Sequence, residues 1–391
     1  MRTRNVVVAA LVTFFAGVAQ EVKANEAITP LWLRDVAVSP DGQQVLFCYK
    51  GDIYKVGAEG GKAVQLTTQD SYECSPVWSS DGKQIAFASD RHGNLDIFVM
   101  SADGGSATRL TYDSTAEVPQ AFTQDGKWVI FGANIQDPAE SVMFPSSRLP
   151  ELYKVPVKGG RTLQVLASPA EMISFAPDGK NFYYQDRKGY EDEWRKHHTS
   201  SITRDIWFYD AANQKHTNVT QHAGEDRNPV VSADGKMLYF LSERNGGSMN
   251  VYSCVAQAGA TKATDPKAVT SFKTHPVRFL SIAKNGLLCF TYNGEIYTQQ
   301  PNGKPQKLNV TLTRDDEPVI SDLTFSSGAR QSVVSKDGKQ IAFVVRGEVF
   351  VTSVEYATTR RITQTAGAEA SVDFAPDGRT IVYASERNGN W

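Results

Sequence analysis

An Asp-Gly pair, or in one repeat an Asn-Gly pair, recurs eight times along the chain, and each pair is followed by an apolar run. Successive pairs lie 40 to 56 residues apart. Their first residues are Asp41, Asp81, Asp125, Asp178, Asp234, Asn285, Asp337 and Asp377. These dipeptides favour a two-residue type I′ hairpin turn, in which both central residues have positive φ. The spacing therefore predicts a repeat architecture that is built from hairpins.

Each repeat continues with two further segments that read as strands. After the hairpin comes an acidic residue or Asn followed by apolar and aromatic residues, as in "DIY" at 52–54 and "DIF" at 96–98. A last segment follows a Gly-containing turn, as in "TRLT" at 108–111. Four antiparallel strands per repeat predict a blade of a β-propeller. No long helical pattern interrupts the repeats, so the predicted fold class is all-β.

The repeats predict two propellers. The first six predict a six-bladed β-propeller over 30–315, in which neighbouring blades bury each other's apolar faces. The sixth repeat ends with its own fourth strand, so we expect the ring to close by packing alone, without a shared blade. A polar, turn-rich segment then precedes the first blades of a second, truncated propeller over 325–391. Trp391 aligns with Leu95, so we expect the intact protein to continue beyond it.

The N-terminus has the layout of a secretory signal peptide. Arg2 and Arg4 precede an apolar run over 6–18, and small residues follow it. This run is shorter than the roughly 20 residues that cross a bilayer. The sequence therefore predicts a signal peptide over 1–24, with cleavage after Ala19 or Ala24. We accordingly expect an exported protein, periplasmic or otherwise extracytoplasmic.

Charge and cysteine content exclude several function classes. Lys and Arg number 41 against 43 for Asp and Glu, so the net charge of −2 gives no general attraction to nucleic acid. The four cysteines, Cys48, Cys74, Cys254 and Cys289, have no C-x-x-C spacing. They are interpreted as buried free thiols rather than as a zinc or redox site. One disulfide among them is the alternative, because the predicted compartment is oxidising.

The sequence contains no H-E-x-x-H, Walker loop, GxGxxG or G-x-S-x-G motif, so it predicts no catalytic residue, cofactor or metal site. Two insertions, over 135–150 and 190–206, are interpreted as solvated loops or as contacts to substrate or to another domain. Adjacent histidines in the second project in different directions and rarely share one metal. The candidate contact residues are Arg195, His197, His198, Met143 and Phe144.

The repeats resemble those of TolB-type propellers, whose hallmark is S-[D/E]-R-x-G followed by D-I-[Y/F]-x-M. Residues 89–93, 242–246 and 385–389 match the first part, and 96–100 match the second. A signal peptide, six repeats and a second array with "RGEVFV" at 346–351 together resemble the N-terminal part of tricorn-like serine proteases. These are relatives of the tail-specific, or C-terminal-processing, peptidases.

That resemblance implies a function for the chain. In the family, a six-bladed and a seven-bladed propeller precede a PDZ domain and the catalytic domains. The chain would then be the non-catalytic, substrate-gating portion of a peptidase that acts on peptides or unfolded proteins. Its partners would be those missing C-terminal domains, and homo-oligomerisation stays open. The alternative is a TolB-like envelope scaffold without enzymatic activity, since fold alone does not determine function.

Overall fold

The computed structural model describes residues 29–135, 149–189, 199–244, 247–256, 265–312, 327–365, 367–388 and 390–391. Within these ranges every regular element is a β-strand, and no helix long and apolar enough to cross a membrane is found. The predicted all-β propeller fold is confirmed. The predicted signal peptide lies outside the described residues, and the domain boundaries at 30–315 and 325–391 stay predictions.

Six four-stranded antiparallel sheets follow one another along the chain. Sheet one contains β1 (Arg34–Val38), β2 (Gln44–Tyr49), β3 (Asp52–Gly57) and β5 (Val64–Gln65), with the short β4 (Gly61–Lys62) before β5. Sheet two contains β6 (Glu73–Trp78), β7 (Gln84–Ser89), β8 (Asp96–Ser101) and β9 (Thr108–Arg109). Sheet three contains β10 (Val118–Phe122), β11 (Trp128–Ala133), β12 (Glu151–Pro156) and β13 (Leu163–Leu166).

The next three sheets repeat this order. Sheet four contains β14 (Ala170–Phe175), β15 (Phe182–Asp186), β16 (Ile206–Asp210) and β17 (Lys215–Asn218). Sheet five contains β18 (Asp226–Val231), β19 (Met237–Ser242), β20 (Asn250–Val255) and β21 (Lys267–Ala268). Sheet six contains β22 (Val277–Ile282), β23 (Leu288–Tyr292), β24 (Glu295–Gln299) and β25 (Gln306–Lys307). Seven buried apolar clusters form the described core, and most of them are shared by neighbouring sheets.

The Asp-Gly pairs lie in hairpins as predicted, but the predicted turn type is wrong. Positive φ occurs at the glycine of each pair, from +64° at Gly179 to +87° at Gly286, and not at the Asp or Asn before it. In sheet one the amide of Gly42 donates to the Ser39 carbonyl at 2.9 Å, and that of Ser39 donates to the Gln44 carbonyl at 2.8 Å. Each connection is thus a four-residue turn that ends in a left-handed glycine.

The aspartate of the turn acts through its side chain. Asp41 Oδ1 accepts hydrogen bonds from the Ser39 hydroxyl at 2.5 Å and from the Gln43 amide at 3.0 Å. Other repeats show the same pattern, with Ser79 on Asp81 and Ser232 on Asp234. The carboxylate therefore satisfies local donors of the turn, which explains Asp there without a positive φ.

The ring closes through backbone hydrogen bonds as well as packing, so the expected closure by packing alone is wrong. After sheet six the chain forms β26 (Val310–Thr311), which pairs parallel to β4, the short strand that precedes β5. The Gly61 amide donates to the Asn309 carbonyl at 2.7 Å, and the Ala63 amide donates to the Thr311 carbonyl at 2.8 Å. Alternate apolar residues of this segment enter the core that sheets one and six share, which holds its backbone beside β4.

The first strands of the six sheets contact one another round the ring, and each contains a bulge. In most of these strands the bulge includes a left-handed non-glycine residue, such as Ser75 or Asn228. Asn228 joins two sheets, since its side-chain amide donates to the Leu280 carbonyl at 2.9 Å and accepts from the Leu280 amide at 2.8 Å. Sheet three differs because Pro119 occupies the position equivalent to Ser75, and proline fixes φ at a negative value.

A second array follows at 327–391. It contains a four-stranded sheet of β27 (Arg330–Val334), β28 (Gln340–Val345), β29 (Glu348–Ser353) and β30 (Thr359–Arg361), and a pair of β31 (Glu369–Phe374) and β32 (Ile381–Ser385). Lys50 Nζ lies 2.9 Å from Glu348 Oε1, and the Arg346 guanidinium lies 5.5 Å from the Tyr72 ring centre. These contacts attach the second array to sheets one and two.

The interpretation of the cysteines as buried free thiols is confirmed. All four are buried and none forms a disulfide. Burial raises the pKa of the Cys289 thiol to about 12 and that of Cys254 to about 11. Because the thiolate is the reactive form, these residues serve as small core side chains.

Candidate functional site

One face of the ring contains the connections from second to third strands, and we call it the insertion face. In sheet two it is formed by the end of β7, the start of β8 and the residues after β9, whereas the Asp-Gly turns lie on the opposite face. Residues 136–148 and 190–198, which follow the second strands of sheets three and four in the sequence, lie outside the described residues. The predicted contact residues, Arg195, His197, His198, Met143 and Phe144, lie outside the described residues, so their roles stay predictions.

Several acids at the start of the third strands, on the insertion face, accept a hydrogen bond from a threonine that follows the fourth strand. In sheet one the Ile53 amide donates to Thr67 Oγ1 at 2.9 Å, and the Thr67 hydroxyl donates to Asp52 Oδ1 at 3.2 Å. Sheet four repeats this arrangement with Thr220 and Asp205. Burial, with the nearby Glu73 carboxylate adding, raises the pKa of Asp52 to about 7. The recurring acid and threonine thus join the third strand to the end of the fourth.

A second acid on this face, at the start of the first strand, is paired with the arginine of the S-[D/E]-R motif. Arg91 Nη2 lies 3.1 Å from Glu73 Oε1, and the Ser89 hydroxyl donates to the same oxygen at 2.9 Å. The motif recurs in sheet five, where Arg244 pairs with Asp226. It also recurs in the second array, where Arg387 Nη2 lies 3.6 Å from Glu369 Oε1. The motif therefore neutralises a buried carboxylate, which would otherwise be costly to bury.

Sheet three retains the acid but lacks the motif. Glu117 occupies the position of Glu73, while Ala133 and Ile135 stand where sheet two has Ser89 and Arg91. Glu117 is only 1% exposed, and its Oε2 has no hydrogen-bond partner among the described residues. Burial raises the pKa of Glu117 to about 8, against the opposing effect of the Thr111 hydroxyl.

Glu117 lines a cleft of about 380 Å³ between sheets two and three. The other lining residues are Leu110, Thr111, Tyr112, Asp113, Ile135, Tyr153, Gly160, Thr162 and Gln164. Arg109 is a cation near Glu117, but it contacts other groups. Its Nη2 lies 2.8 Å from Asp96 Oδ2, and its Nε donates to the Thr111 carbonyl at 2.8 Å. The cleft is thus lined by two carboxyl groups, those of Glu117 and Asp113, together with polar and apolar groups.

A second polar cluster lies where sheets four and five meet. Arg204, which is 2% exposed at its side chain, donates from Nη1 to Glu225 Oε1 at 2.8 Å, and its backbone amide donates to Glu225 Oε2 at 2.7 Å. Arg227 Nε donates to Glu225 Oε1 at 3.0 Å. Lys188 Nζ lies 2.9 Å from Asp205 Oδ2. The described residues on both sides of the 190–198 connection are therefore held by ion pairs.

Neither cluster forms a metal site. In the part of the chain that the structure describes, no group of three or more His, Cys, Asp or Glu side chains is arranged to hold a metal ion. Arginine or lysine contacts Asp96, Asp205 and Glu225 instead.

The buried Glu117 carboxyl predicts a pH dependence of stability. The unfolded chain loses this proton near pH 4.5, whereas the folded chain keeps it up to about pH 8. The unfolded state thus binds fewer protons in this window, so stability falls as pH rises from about 4.5 to about 8. In Glu117→Gln the free energy of unfolding should therefore depend less steeply on pH. The expected difference is about 1.4 kcal/mol per pH unit, the value for one proton.

Urea unfolding of both proteins at several pH values across that window measures the slope. The exposed Glu59→Gln serves as the control, and its slope should match that of the unaltered chain. Equal slopes for Glu117→Gln and Glu59→Gln would show that Glu117 is ionised in the folded state.

The importance of Glu117 was not predicted from the sequence. The available signal was the difference between neighbouring repeats, because "ANI" at 133–135 replaces the "SDR" of 89–91 while the acid before the first strand remains. Reading that difference requires knowing that the acid and the arginine meet, although 18 residues separate them in sheet two.

Comparisons with known proteins place this fold among relatives. The family model for the tricorn protease N-terminal beta propeller domain matches residues 30–305. A curated relative, dipeptidyl-peptidase 5 of Porphyromonas endodontalis, is 25% identical over 281 residues, which covers 58% of this chain and 40% of the relative. The chain therefore spans less than half the length of that relative.

Two solved structures share the fold. The crystal structure of the tricorn protease matches with a TM-score of 0.59 and 21% identity, over 86% of this chain and 31% of that one. TolB from Acinetobacter baumannii matches with a TM-score of 0.52 and 18% identity, over 70% of this chain and 66% of that one. At these identities the similarity establishes the propeller fold alone.

Proposed function

Because the chain belongs to the tricorn protease N-terminal β-propeller family, we propose that it is the substrate-gating, non-catalytic portion of an exported serine peptidase. Its substrates would be peptides or unfolded proteins. The observation that carries the proposal is the ring of six sheets, in which sheet six returns to sheet one and the first strands contact one another. A ring of this kind restricts passage by size.

The physical basis of gating is the rigidity of the first strands. Hydrogen bonds join them across sheet boundaries, as between Asn228 and Leu280, so the ring resists widening. An extended polypeptide has a much smaller cross-section than a folded domain. A rigid opening therefore favours unfolded chains without recognising their sequence.

Peptide hydrolysis itself is assigned to domains outside this chain. There a serine nucleophile, a histidine that transfers its proton and an oxyanion hole would carry out the reaction. The propeller would act through access, and its contacts to the second array at Lys50 and Arg346 would keep successive parts of the enzyme aligned.

The gating proposal is tested with the product of the intact gene and with this chain alone. We expect this chain not to cleave an unstructured peptide, and the intact product to cleave both short peptides and unfolded proteins. In the intact product, Met172→Trp enlarges a 45%-exposed side chain at the bulge of the first strand of sheet four. We expect it to slow cleavage of unfolded proteins severalfold while short peptides are cleaved at an unchanged rate.

Leu163→Trp is the matched control, because Leu163 is 40% exposed but lies on the outermost strand of sheet three. If both variants cleave unfolded proteins at the unaltered rate, the ring is not the gate. Export is tested separately by fractionation and by the N-terminal residue of the mature protein, which should follow Ala19 or Ala24.

The second candidate is a TolB-like protein-interaction scaffold of the envelope. The match to 66% of the TolB chain and the three S-[D/E]-R motifs favour it. An intact gene product that cleaves no peptide but is recovered in a stable complex with an envelope protein would support the scaffold over the peptidase.

A further inference from the structure

We propose that the cleft between sheets two and three binds the cationic group of a basic side chain, guanidinium or ammonium, with Glu117 as its counter-ion. The assignment of that side chain to a polypeptide substrate rests on the proposed function. The cation site itself rests on the geometry of the cleft.

The repeats of this chain differ in what pairs with the acid at the start of the first strand. Wherever an S-[D/E]-R motif is present, its arginine pairs with the acid at the start of the first strand. In sheet three the acid is Glu117, but the arginine position holds Ile135, and both residues line the cleft. A ligand cation in the cleft would therefore supply the interaction that the other repeats supply from within.

The groups around Glu117 do not replace the missing cation. Arg109 is held by Asp96 and by the Thr111 carbonyl. On the opposite side of the cleft, the Tyr153 hydroxyl and the Gln164 side-chain amide donate to Glu151 at 2.6 Å and 2.8 Å. Among the described residues, no ion pair reaches Glu117, and its Oε2 stays without a hydrogen-bond partner although it is buried.

The size and the lining of the cleft suit a cationic side chain. A volume of about 380 Å³ falls within the range of small-ligand sites and exceeds what one side chain needs. Asp113 adds a second carboxylate to the lining, and Thr111 adds a hydroxyl. Such a set suits a cation with several N–H donors, since charge-assisted hydrogen bonds to carboxylates are among the strongest in proteins.

Binding should be linked to proton release. Burial keeps Glu117 protonated at neutral pH because its pKa is raised to about 8. A bound cation favours the carboxylate, so its affinity should increase as pH rises from about 6 to about 8. The charged groups that act on Glu117 are Asp96, Asp113 and Arg109 on the side of sheet two. On the side of sheet three, Glu151 accepts from the hydroxyl of Tyr153, which lines the cleft.

The experiment measures binding of acetyl-Gly-Arg-Gly-amide to the 391-residue chain by calorimetry or NMR titration. The same peptide with citrulline in place of arginine is the neutral control. A lysine peptide and free ethylguanidinium show whether the site takes either cation, and whether it needs peptide backbone. We expect saturable binding of the arginine peptide at pH 8, weaker binding at pH 6, and no detectable binding of the citrulline peptide.

Two variants locate the site. Glu117→Gln should weaken binding of the arginine peptide at least about tenfold, because it removes the charged acceptor. Ile135→Arg should weaken it similarly, because it places an internal guanidinium beside Glu117 as in sheet two. It should also raise the melting temperature, whereas the conservative Ile135→Leu should leave binding intact.

Equal binding of the arginine and citrulline peptides, or unchanged affinity in Glu117→Gln, would overturn the proposal. Absence of any saturable binding by the unaltered chain would overturn it as well. Binding of ethylguanidinium without preference for the peptide would retain the cation site and reject a polypeptide ligand. None of these results depends on peptidase activity, so they are distinguishable from failure of the gating proposal.

Discussion

Replacing Glu225 with alanine should lower the free energy of unfolding by about 3–5 kcal/mol, the cost of breaking a buried ion pair by removing one partner. Arg204 would then lose its 2.8 Å contact, and its backbone amide would lose the acceptor at 2.7 Å. Because Arg204 is buried, water cannot readily replace these bonds. The remaining acid near it, Glu171, is 3.8 Å away from Nε.

Urea unfolding followed by tryptophan fluorescence measures this loss. Glu295→Ala is the matched control, because Glu295 pairs with Lys307 at the same 2.8 Å distance but both side chains are partly exposed. We expect the control to cost less than about 1 kcal/mol. A similar small cost for Glu225→Ala would mean that the cluster between sheets four and five is open to water.

Replacing Phe47 with alanine should destabilise the ring by about 3–5 kcal/mol, the usual cost of removing a fully buried aromatic side chain. Phe47 lies in the second strand of sheet one, stacks on Tyr54 with ring centres 5.5 Å apart, and is fully buried. Its cluster also contains Cys289 and Ile296 of sheet six. The loss would therefore weaken the contact through which the ring closes.

Phe343→Ala is the control for two-sided packing. Phe343 occupies the equivalent position in the second array and stacks on Phe350 with ring centres 5.8 Å apart, but it is only partly buried. We expect this variant to leave unfolding of the ring unchanged and to affect only residues 327–391. Equal effects of both substitutions on one common transition would show that ring and second array unfold as one unit.

Limited proteolysis compares the stability of the ring with that of the second array. In the second array the apolar residues Val334 and Val382 are 56% and 60% exposed. Its apolar cluster contains four buried residues, of which two are fully buried. Because more of its apolar surface is exposed, we expect the second array over 327–391 to be cleaved before the ring, and equal resistance of both parts would contradict this expectation.

The local features of the fold were predictable from the sequence because short-range physics determines them. Glycine is required at the left-handed position of each turn, so Gly42 and its equivalents reveal the hairpins. Acidic residues such as Asp52 mark the third strand because they bond the threonine that ends the fourth. The all-β propeller class follows from repetition of these local units.

The turn type was not predictable from the dipeptide alone. A type I′ turn needs positive φ at both central residues, and Asp-Gly satisfies that requirement as well as it satisfies the observed turn. The side-chain oxygen of the Asp or Asn makes the difference, because it accepts from the amide two residues further on, as Asp41 does from Gln43, and this favours the turn in which only the glycine is left-handed. The choice depends on a side-chain contact rather than on backbone preference.

The sequence by itself determined the number of repeats, their strands and the family, since each repeat contains its own turn, strand and capping signals. Only the tertiary structure decided how the ring closes, because β26 and β4 are about 250 residues apart and either could have stayed unpaired. Only the tertiary structure decided, too, that Glu117 is buried without an arginine. The residues that line the cleft around it come from two different sheets, and a contact between sheets has no period in the sequence.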